Sequence, residues 1–584
     1  MIRQLFIKIV FVVLLYHTIA AQNIGSISIA GNKKISDSEY LTWLSIKPGG
    51  NEFEGIIDTA ANRLSNNLRS NGYYNFKLEI TKDYSPDSTK FDLKIYVEEN
   101  NPVIIQYIFL EIKDSSLVEI IEPNFKFIEG NIFTKHSLER AVSETLANLQ
   151  NVGYPFASIK ISSVYFYSDS SSNQFVDITA KIELNQISRF DKIDIEGNSK
   201  TKDYVIIRAA RINTGEYYNQ KKIDNIPKLL NRLRYFNSVS APNYFFNSSN
   251  EGVLNIVVEE KETNSFDGIV GYVPSQKKGT NGYFTGYINI SLQNIFGTGR
   301  SAGFRWQKEN RNSQELEIKY LEPWFLDFPV NLSGIIFQRV QDTTYVERKF
   351  GGSVEFLATD EISASLLLET QSVIPTDPEN RGFTVFNSTL TTSGVIFKLD
   401  SRDDVYSPTE GFYFLSTYKF SSKKINGPAL YLPLAANKSE ELQRIELDFL
   451  AYYQPIIRQV LHFGFHAKEL KSDLFEISDL YKLGGTNTLR GYLENQFFGN
   501  RIFWSNLEYR YLLTKRSFAF LFFDSGYYLR NDSDSFVRAE SFKLGYGMGI
   551  SLETALGVMA VSFAFADAGS FSDGKIHFGL LNEF

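Results

Sequence analysis

From Phe266 onward the chain shows no helical periodicity and becomes a succession of strand-like segments. Apolar and polar residues alternate over 266–273, 283–293, 301–307, 315–320, 330–338, 352–357, 362–369, 386–399, 411–420, 443–453, 460–468, 501–511, 518–529, 541–551, 557–565 and 575–584. These are sixteen segments, separated by turn residues. Alternation gives every strand two unlike faces. A membrane-crossing strand needs about 9–11 residues. An even number of such strands fits an antiparallel transmembrane barrel, and a soluble β-sandwich is the alternative. Aromatics make up 15% of the chain, with 49 Phe and 33 Tyr, which suits girdles at membrane interfaces. Residues 264–584 are therefore expected to form a sixteen-stranded outer-membrane barrel.

The N-terminus agrees with export. Arg3 and Lys8 precede an apolar run over 9–15, and Ala20-Ala21 offers a small-residue cleavage site. The alternative, a membrane anchor helix, needs about 20 apolar residues, so a signal peptide over 1–21 is the expectation. Between it and the strands, a unit of roughly 80 residues recurs three times. Each begins with a short strand (27–32, 108–112, 193–198), runs through two helical patterns and closes on an alternating strand (91–97, 175–182, 253–258). In the third unit Ile226, Leu229, Leu230 and Leu233 recur at helical spacing. The order β-α-α-β-β predicts two helices on one face of a small mixed sheet. The expected modules are 22–101, 102–186 and 187–263.

Composition excludes several functions. A net charge of -7 gives no basic footprint for nucleic acid. With no cysteine there is no disulfide, thiolate metal site or acylated anchor. His462 and His466 share a strand face but sit roughly 13 Å apart at about 3.3 Å per residue, too far to share a metal. Gly297-Thr298-Gly299 reads as a strand-end turn, and the acidic run Asp400, Asp403 and Asp404 as a solvated turn with Pro408 and Gly411. No nucleophile and base cluster together, so the protein is not expected to be an enzyme or to need a cofactor.

The stretch Leu483-Gly484-Gly485-Thr486-Asn487-Thr488-Leu489-Arg490-Gly491-Tyr492 is different in kind. Glycine allows close backbone approach, and arginine presents a rigid fork of donors to a carboxylate. Asp524, beside Gly526 on an otherwise apolar strand, and Glu508 on the strand before it are candidate acceptors. An Arg490–Asp524 ion pair inside a barrel is one reading, and two unrelated charges facing lumen water is the other. The last segment carries Ile576, Phe578, Leu580 and Phe584 on one face. The first, with Phe266, Gly268 and Gly271, should pair weakly because of its glycines. Closure of the barrel would join these two strands at a lateral seam.

In these residues the chain resembles the BamA/TamA superfamily of outer-membrane protein assembly factors. The repeats resemble POTRA domains. Leu489-Arg490-Gly491-Tyr492 resembles the family's loop motif, and Phe522-x-Asp524-x-Gly526 its barrel-strand partner. Asn294 to Gly299, Glu322-Pro323-Trp324 and Asp400 to Gly411 also resemble family segments, and three repeats are most similar to TamA-like members. The resemblance implies a barrel of the bacterial surface antigen type in the outer membrane, with the repeats in the periplasm. It implies that Arg490 docks on Asp524. It also implies unfolded outer-membrane or secreted client proteins, a periplasmic or inner-membrane partner, and the lipid bilayer as partners. A secretion pore dedicated to one protein, and a passive porin-like or surface-binding barrel, are the alternatives.

Overall fold

The computed structural model describes residues 23–581, apart from 87–89, 275–281, 309, 342–343, 377–384, 406, 428–438, 474, 477, 532–536, 555–556 and 568–572. The signal segment 1–21 and Phe584 lie outside the described residues. The chain forms two compact units that interleave in the third repeat: 214–223 and 245–253 group with the first two repeats, and the rest of that repeat from 193 onward groups with the strands that follow.

The first repeat consists of β1 (Asn23–Ala30), α1 (Asp37–Leu44), α2 (Ile56–Ser70), β2 (Lys77–Tyr84) and β3 (Lys90–Glu98). Its sheet has the order β1-β3-β2, with β1 parallel to β3. Ile56, Ala60, Leu64 and Leu68 are buried along one face of α2. They meet Phe91, Leu93, Ile95 and Val97, the inward alternates of β3. Periodicities of 3.6 and 2 thus converge on one core. The second repeat repeats the plan with β4 (Val103–Glu111), α3 (Val118–Lys126), α4 (Lys135–Asn151), β5 (Ser158–Ser168) and β6 (Gln174–Glu183), in the order β4-β6-β5. Thr134 and Ser137 cap α4 reciprocally. The third has β7 (Lys192–Glu196), α5 (Asp203–Ala210), α6 (Gln220–Leu233), β8 (Asn243–Phe246) and β9 (Gly252–Val257), in the order β7-β9-β8.

Two repeats share a device that the sequence did not reveal. Glu99 accepts hydrogen bonds from the Lys33, Lys34 and Ile35 backbone N–H groups. Glu260 does the same for Ser199, Lys200 and Thr201. Asn32 and Asn198 tie the same two turns, each reaching a carbonyl and the first-turn aspartate of the following helix. Burial pushes the Glu260 carboxyl up, but the Thr201, Lys200 and Ser199 hydrogen bonds outweigh it and hold it at about 2.

The remaining strands are β10 (Ser265–Val273), β11 (Tyr283–Ile295), β12 (Arg300–Lys308), β13 (Gln314–Glu322), β14 (Val330–Gln341), β15 (Tyr345–Leu357), β16 (Ile362–Pro375) and β17 (Asn387–Asp400). They continue with β18 (Gly411–Gly427), β19 (Ser439–Ile456), β20 (Gln459–Lys471), a short pair β21 (Tyr481–Leu483) and β22 (Phe497–Gly499), and β23 (Arg501–Leu512). The last are β24 (Phe518–Arg530), β25 (Ala539–Thr554), β26 (Gly557–Ala566) and β27 (Lys575–Leu581). All but β21 and β22 join one antiparallel sheet of sixteen strands in chain order, and each strand is one of the sixteen read from alternation. β15 begins earlier than expected. Glu347, Arg348 and Lys349 look like loop residues, but they belong to the strand, and Lys349 pairs with Glu369 at 3.4 Å.

One sheet face is apolar and exposed. In register across four strands, Phe463 faces Leu507, Leu507 faces Phe523, and Phe523 faces Tyr546, all of them exposed. A continuous apolar surface of this kind belongs against lipid. The opposite face carries His462, Glu508, Asn506 and Asp524, which are charged or polar.

Among the described residues no ladder joins β10 to β27, so the expected closure is not formed there. β27 has seven residues and β10 nine, whereas the central strands reach eighteen. Gly268 and Gly271 add no side chain to hold a neighbour. Phe266 is 73% and Phe578 70% exposed, each on a sheet edge.

Within the second unit the third repeat is pinned to the strand turns. Arg232 of α6 donates to the Asp360, Asp400 and Arg402 carbonyl oxygens at 2.9–3.0 Å. Asn294 Nδ2 donates to Thr201 Oγ1 at 2.8 Å, and the Lys202 N–H donates to the Gly297 carbonyl at 2.9 Å. The Gly-x-Gly turn and the acidic segment are therefore docking points. Asp400 accepts a two-pronged bond from Arg402 at 2.8 Å on both prongs, so it is not the freely solvated turn expected.

Candidate functional site

The site is an arm that leaves β20, folds inward and returns at β23. Its base is the β21–β22 pair, in which Tyr481 faces Gly499. Gly484 donates its N–H to Thr488 Oγ1 at 2.9 Å and Gly485 to the Leu489 carbonyl at 3.0 Å, closing a tight turn. The Glu494 carboxylate accepts the Thr486 N–H at 2.6 Å from the other side of that turn. Leu483, Leu489 and Tyr492 bury themselves against Ile502 and Trp504 of β23. The tip is thus held by its own hydrogen bonds and by an apolar pad, and it presents Arg490 in one place.

Arg490 meets both candidate acceptors. Its Nε and Nη2 donate to the two oxygens of Asp524 at 2.8 and 2.7 Å, and its backbone N–H adds a third bond at 3.1 Å. Nη1 donates to Glu508 at 2.7 Å. Asp524 is fully buried. Asn506 Nδ2 supplies a further donor to it at 2.8 Å, and the same amide holds the Thr488 carbonyl at 3.0 Å. Arg510 covers the other Glu508 oxygen at 2.7–2.8 Å. The Arg490 guanidinium lies 3.7 Å from the Phe522 ring centre. Two arginines against two carboxylates leave the cluster with no net charge, and each carboxylate oxygen accepts at least one bond. Such a network is tolerable in a buried site only because it is complete.

Glycines make the close fit possible. Gly491 has φ +93, and a Cβ there would lie 2.7 Å from the Phe565 carbonyl group on β26. A Cβ at Gly545 on β25 would fall on the Arg490 carbonyl oxygen. Gly526 faces Leu489 and Leu483. The Tyr492 hydroxyl donates to the Leu544 carbonyl at 3.0 Å.

Two further anchors were not foreseen in the sequence. Lys423 of β18, buried, stands between Glu476 at 2.7 Å and Asp479 at 2.6 Å at the root of the arm. Glu476 also accepts the Phe386 N–H at 2.5 Å. His577 of β27 accepts the Gly491 N–H at Nε2 at 3.0 Å, with Thr486 Oγ1 3.3 Å from its Nδ1. The charges of 476 and 479 sit in a segment without periodicity, and the partner of His577 is a main-chain group, so neither leaves a pattern in sequence. His462 and His466 do not meet. The first stacks on Tyr452, and the second hydrogen-bonds Asp448 and stacks on Trp504. Among the described residues no group of acids and histidines could hold a metal.

Of the seam residues, Phe266, Gly268 and Gly271 lie on β10 and Phe578 on β27, the two sheet edges. Among the described residues no ladder pairs the two strands.

With this geometry established, relatives can be placed. The description "Omp85 superfamily domain" matches residues 294–584, and "Surface antigen variable number repeat" (POTRA) matches 22–100 and 188–261. The chain is similar to the outer membrane protein assembly factor BamA of Neisseria meningitidis serogroup B. The two are 23% identical over 388 residues, which are 63% of this chain and 46% of that one. BamA of Nitratidesulfovibrio vulgaris is 24% identical over 454 residues, 73% of this chain and 54% of that one. The chain spans about half the length of the curated relatives it matches. In fold it is similar to CdiB from Escherichia coli, with a TM-score of 0.50 at 13% identity, covering 88% of this chain and 94% of that one. Family descriptions that cover the first and third repeats and fourteen of the sixteen sheet strands, on a fold with three small α+β repeats and sixteen antiparallel strands, establish that the chain belongs to the Omp85 superfamily as a BamA/TamA-like member of the bacterial outer membrane, with its repeats in the periplasm.

Proposed function

We propose that the protein assembles other proteins into or across the outer membrane, receiving client strands at the edge between β10 and β27. The observation that carries this reading is the sheet order: β10 and β27 each have a ladder partner on one side only among the described residues. An unpaired strand edge presents a row of free N–H and C=O groups that templates another strand. The repeats add further edges, because β2, β5 and β8 each flank their sheets. Of these β5 is the longest at eleven residues, and it offers strand addition to an extended client. The arm, with Arg490 on Asp524 and Glu508, acts as a latch that braces the sheet while its edge is open. Clients are unfolded outer-membrane or secreted proteins, delivered with a periplasmic or inner-membrane partner. No cofactor, metal or enzymatic step is required, because folding of the client supplies the free energy.

Cysteine pairs placed along β10 and β27 test the reading. The natural chain has no cysteine, so any disulfide formed is the engineered one. Oxidation should stop client assembly and reduction restore it. Equal assembly by the locked and reduced forms would refute the seam. A large, steady conductance in planar bilayers, unaffected by the lock, would point instead to a pore.

A further inference from the structure

The arm does not end its contacts at the buried ion cluster. Asp524 lies on β24, Gly545 and Leu544 on β25, Phe565 on β26 and His577 on β27, and the arm touches each in turn. Only the last of these contacts reaches a sheet edge. β27 is held by seven register pairs to β26 and by no strand on its other side among the described residues. Its outward residues Ile576 and Phe578 are exposed. Its inward residues face the arm: His577 binds Gly491 and Thr486, and a Cβ at Gly579 would lie 3.4 Å from Thr486 Cγ2.

We propose that His577 is a positioning residue that couples the arm to the edge strand, so that β27 gains a hold beyond its ladder to β26 only while the imidazole Nε2 accepts the Gly491 N–H. The chemistry is specific. An amide N–H needs a lone pair to donate to, and Nε2 has one only in the neutral ring with its proton on Nδ1. That tautomer turns Nδ1–H toward Thr486 Oγ1, 3.3 Å away, whose hydroxyl oxygen can accept it. An imidazolium has no acceptor, so protonation removes the bond and leaves the buried Gly491 N–H unpaired. The charged groups around the ring are Arg490 and Glu494 of the arm, Asp524 of β24 and Lys575 of its own strand. Its cross-strand partner on β26, Ser562, carries no charge. The link adds to the proposed function the residue that joins latch and seam, and its consequence for client entry rests on that reading.

Hydrogen exchange of the full-length protein in phosphatidylcholine nanodiscs tests the link without any client, with β26 amides as the internal reference at each pH. His577→Ala should speed exchange in β27 relative to β26 by about tenfold, the cost of one unpaired buried donor. His577→Gln places an amide oxygen near the Nε2 position and should keep the protection. In the natural protein this added, roughly tenfold share of the β27 protection should be present above the titration of the imidazole and lost below it, whereas His577→Gln should show no such step. Equal exchange in His577→Ala and the natural protein would overturn the link, as would an identical pH step in His577→Gln. Client assembly by His577→Ala is read separately. Faster β27 exchange with unchanged assembly would leave the link standing and sink the seam reading.

Discussion

Replacing Arg490 with alanine is the sharpest perturbation available, because its cost divides unequally between two carboxylates. Glu508 loses one bond but keeps Arg510 at 2.7–2.8 Å. Asp524, fully buried, loses both prongs of the guanidinium and keeps only neutral donors, the Arg490 N–H and Asn506. Removing one partner of a buried pair costs about 3–5 kcal/mol, most of it the unpaired charge. Arg490→Ala should therefore destabilise the protein by roughly that amount. Arg490→Lys should recover little, because a point charge cannot serve two carboxylates as the fork does. Neutralising the orphan should help: Arg490→Ala with Asp524→Asn should regain about 2 kcal/mol over Arg490→Ala alone. Guanidinium unfolding of the lipid-reconstituted full chain, followed at Trp504 in the arm's apolar pad, gives all four corners of the cycle. A loss below about 1 kcal/mol, the value of an exposed pair, would refute the buried latch. So would a double variant no more stable than Arg490→Ala.

Gly545→Ala should unseat the arm at a cost of about 1–3 kcal/mol, because its methyl falls on the Arg490 carbonyl. Gly334→Ala, with nothing nearer than 4.0 Å, should be silent in the same unfolding assay. Lys423→Met should loosen the root of the arm by removing the buried cation between Glu476 and Asp479, which leaves Glu476 the Phe386 N–H and Asp479 the more distant Arg444 at 3.8 Å, read as new protease cleavage within 472–480. Intact resistance there would count against that anchor. The Glu260 carboxyl is held at about 2 against an ordinary 4.5, so its contribution is full above 4.5 and falls away as pH drops toward 2. Thermal melting of the periplasmic region across that interval should show the loss in the natural protein, and Glu260→Gln should flatten it.

What the sequence could reveal follows from what repeats along it. Strand alternation is local and periodic, so all sixteen strands were legible, and β15 was shortened only because Glu347, Arg348 and Lys349 look like a turn until their polar interior is known. Arg490 and Asp524 stood out because each is a charge in an unsuitable neighbourhood, among glycines or in an apolar strand. Glu99 and Glu260 bind main-chain amides some sixty residues away, and such acceptors carry no side-chain signature. Lys423 lies beyond residue 420, where the alternating segment was expected to end, and only folding of the segment after β20 brings its two acids to it. The unjoined edges were the other surprise: glycine in β10 predicted weak pairing, but alternation along one strand carries no record of which strand it will pair with, so the missing ladder between β10 and β27 among the described residues was not legible.

The reach of the arm has a mechanical consequence. It lies across β23 to β27 and touches each of them, whereas among the described residues no hydrogen bond joins the arm to β10, β11 or β12. The C-terminal strands are therefore backed by the arm along their inner face, while the N-terminal strands are held at the β11–β12 turn, by the third repeat. With the two edges already unjoined among the described residues, β27 is the edge backed by the arm and β10 the edge without that backing. A client strand would then meet one backed rail and one unbacked rail, and its direction of entry would be decided before any side chain is read.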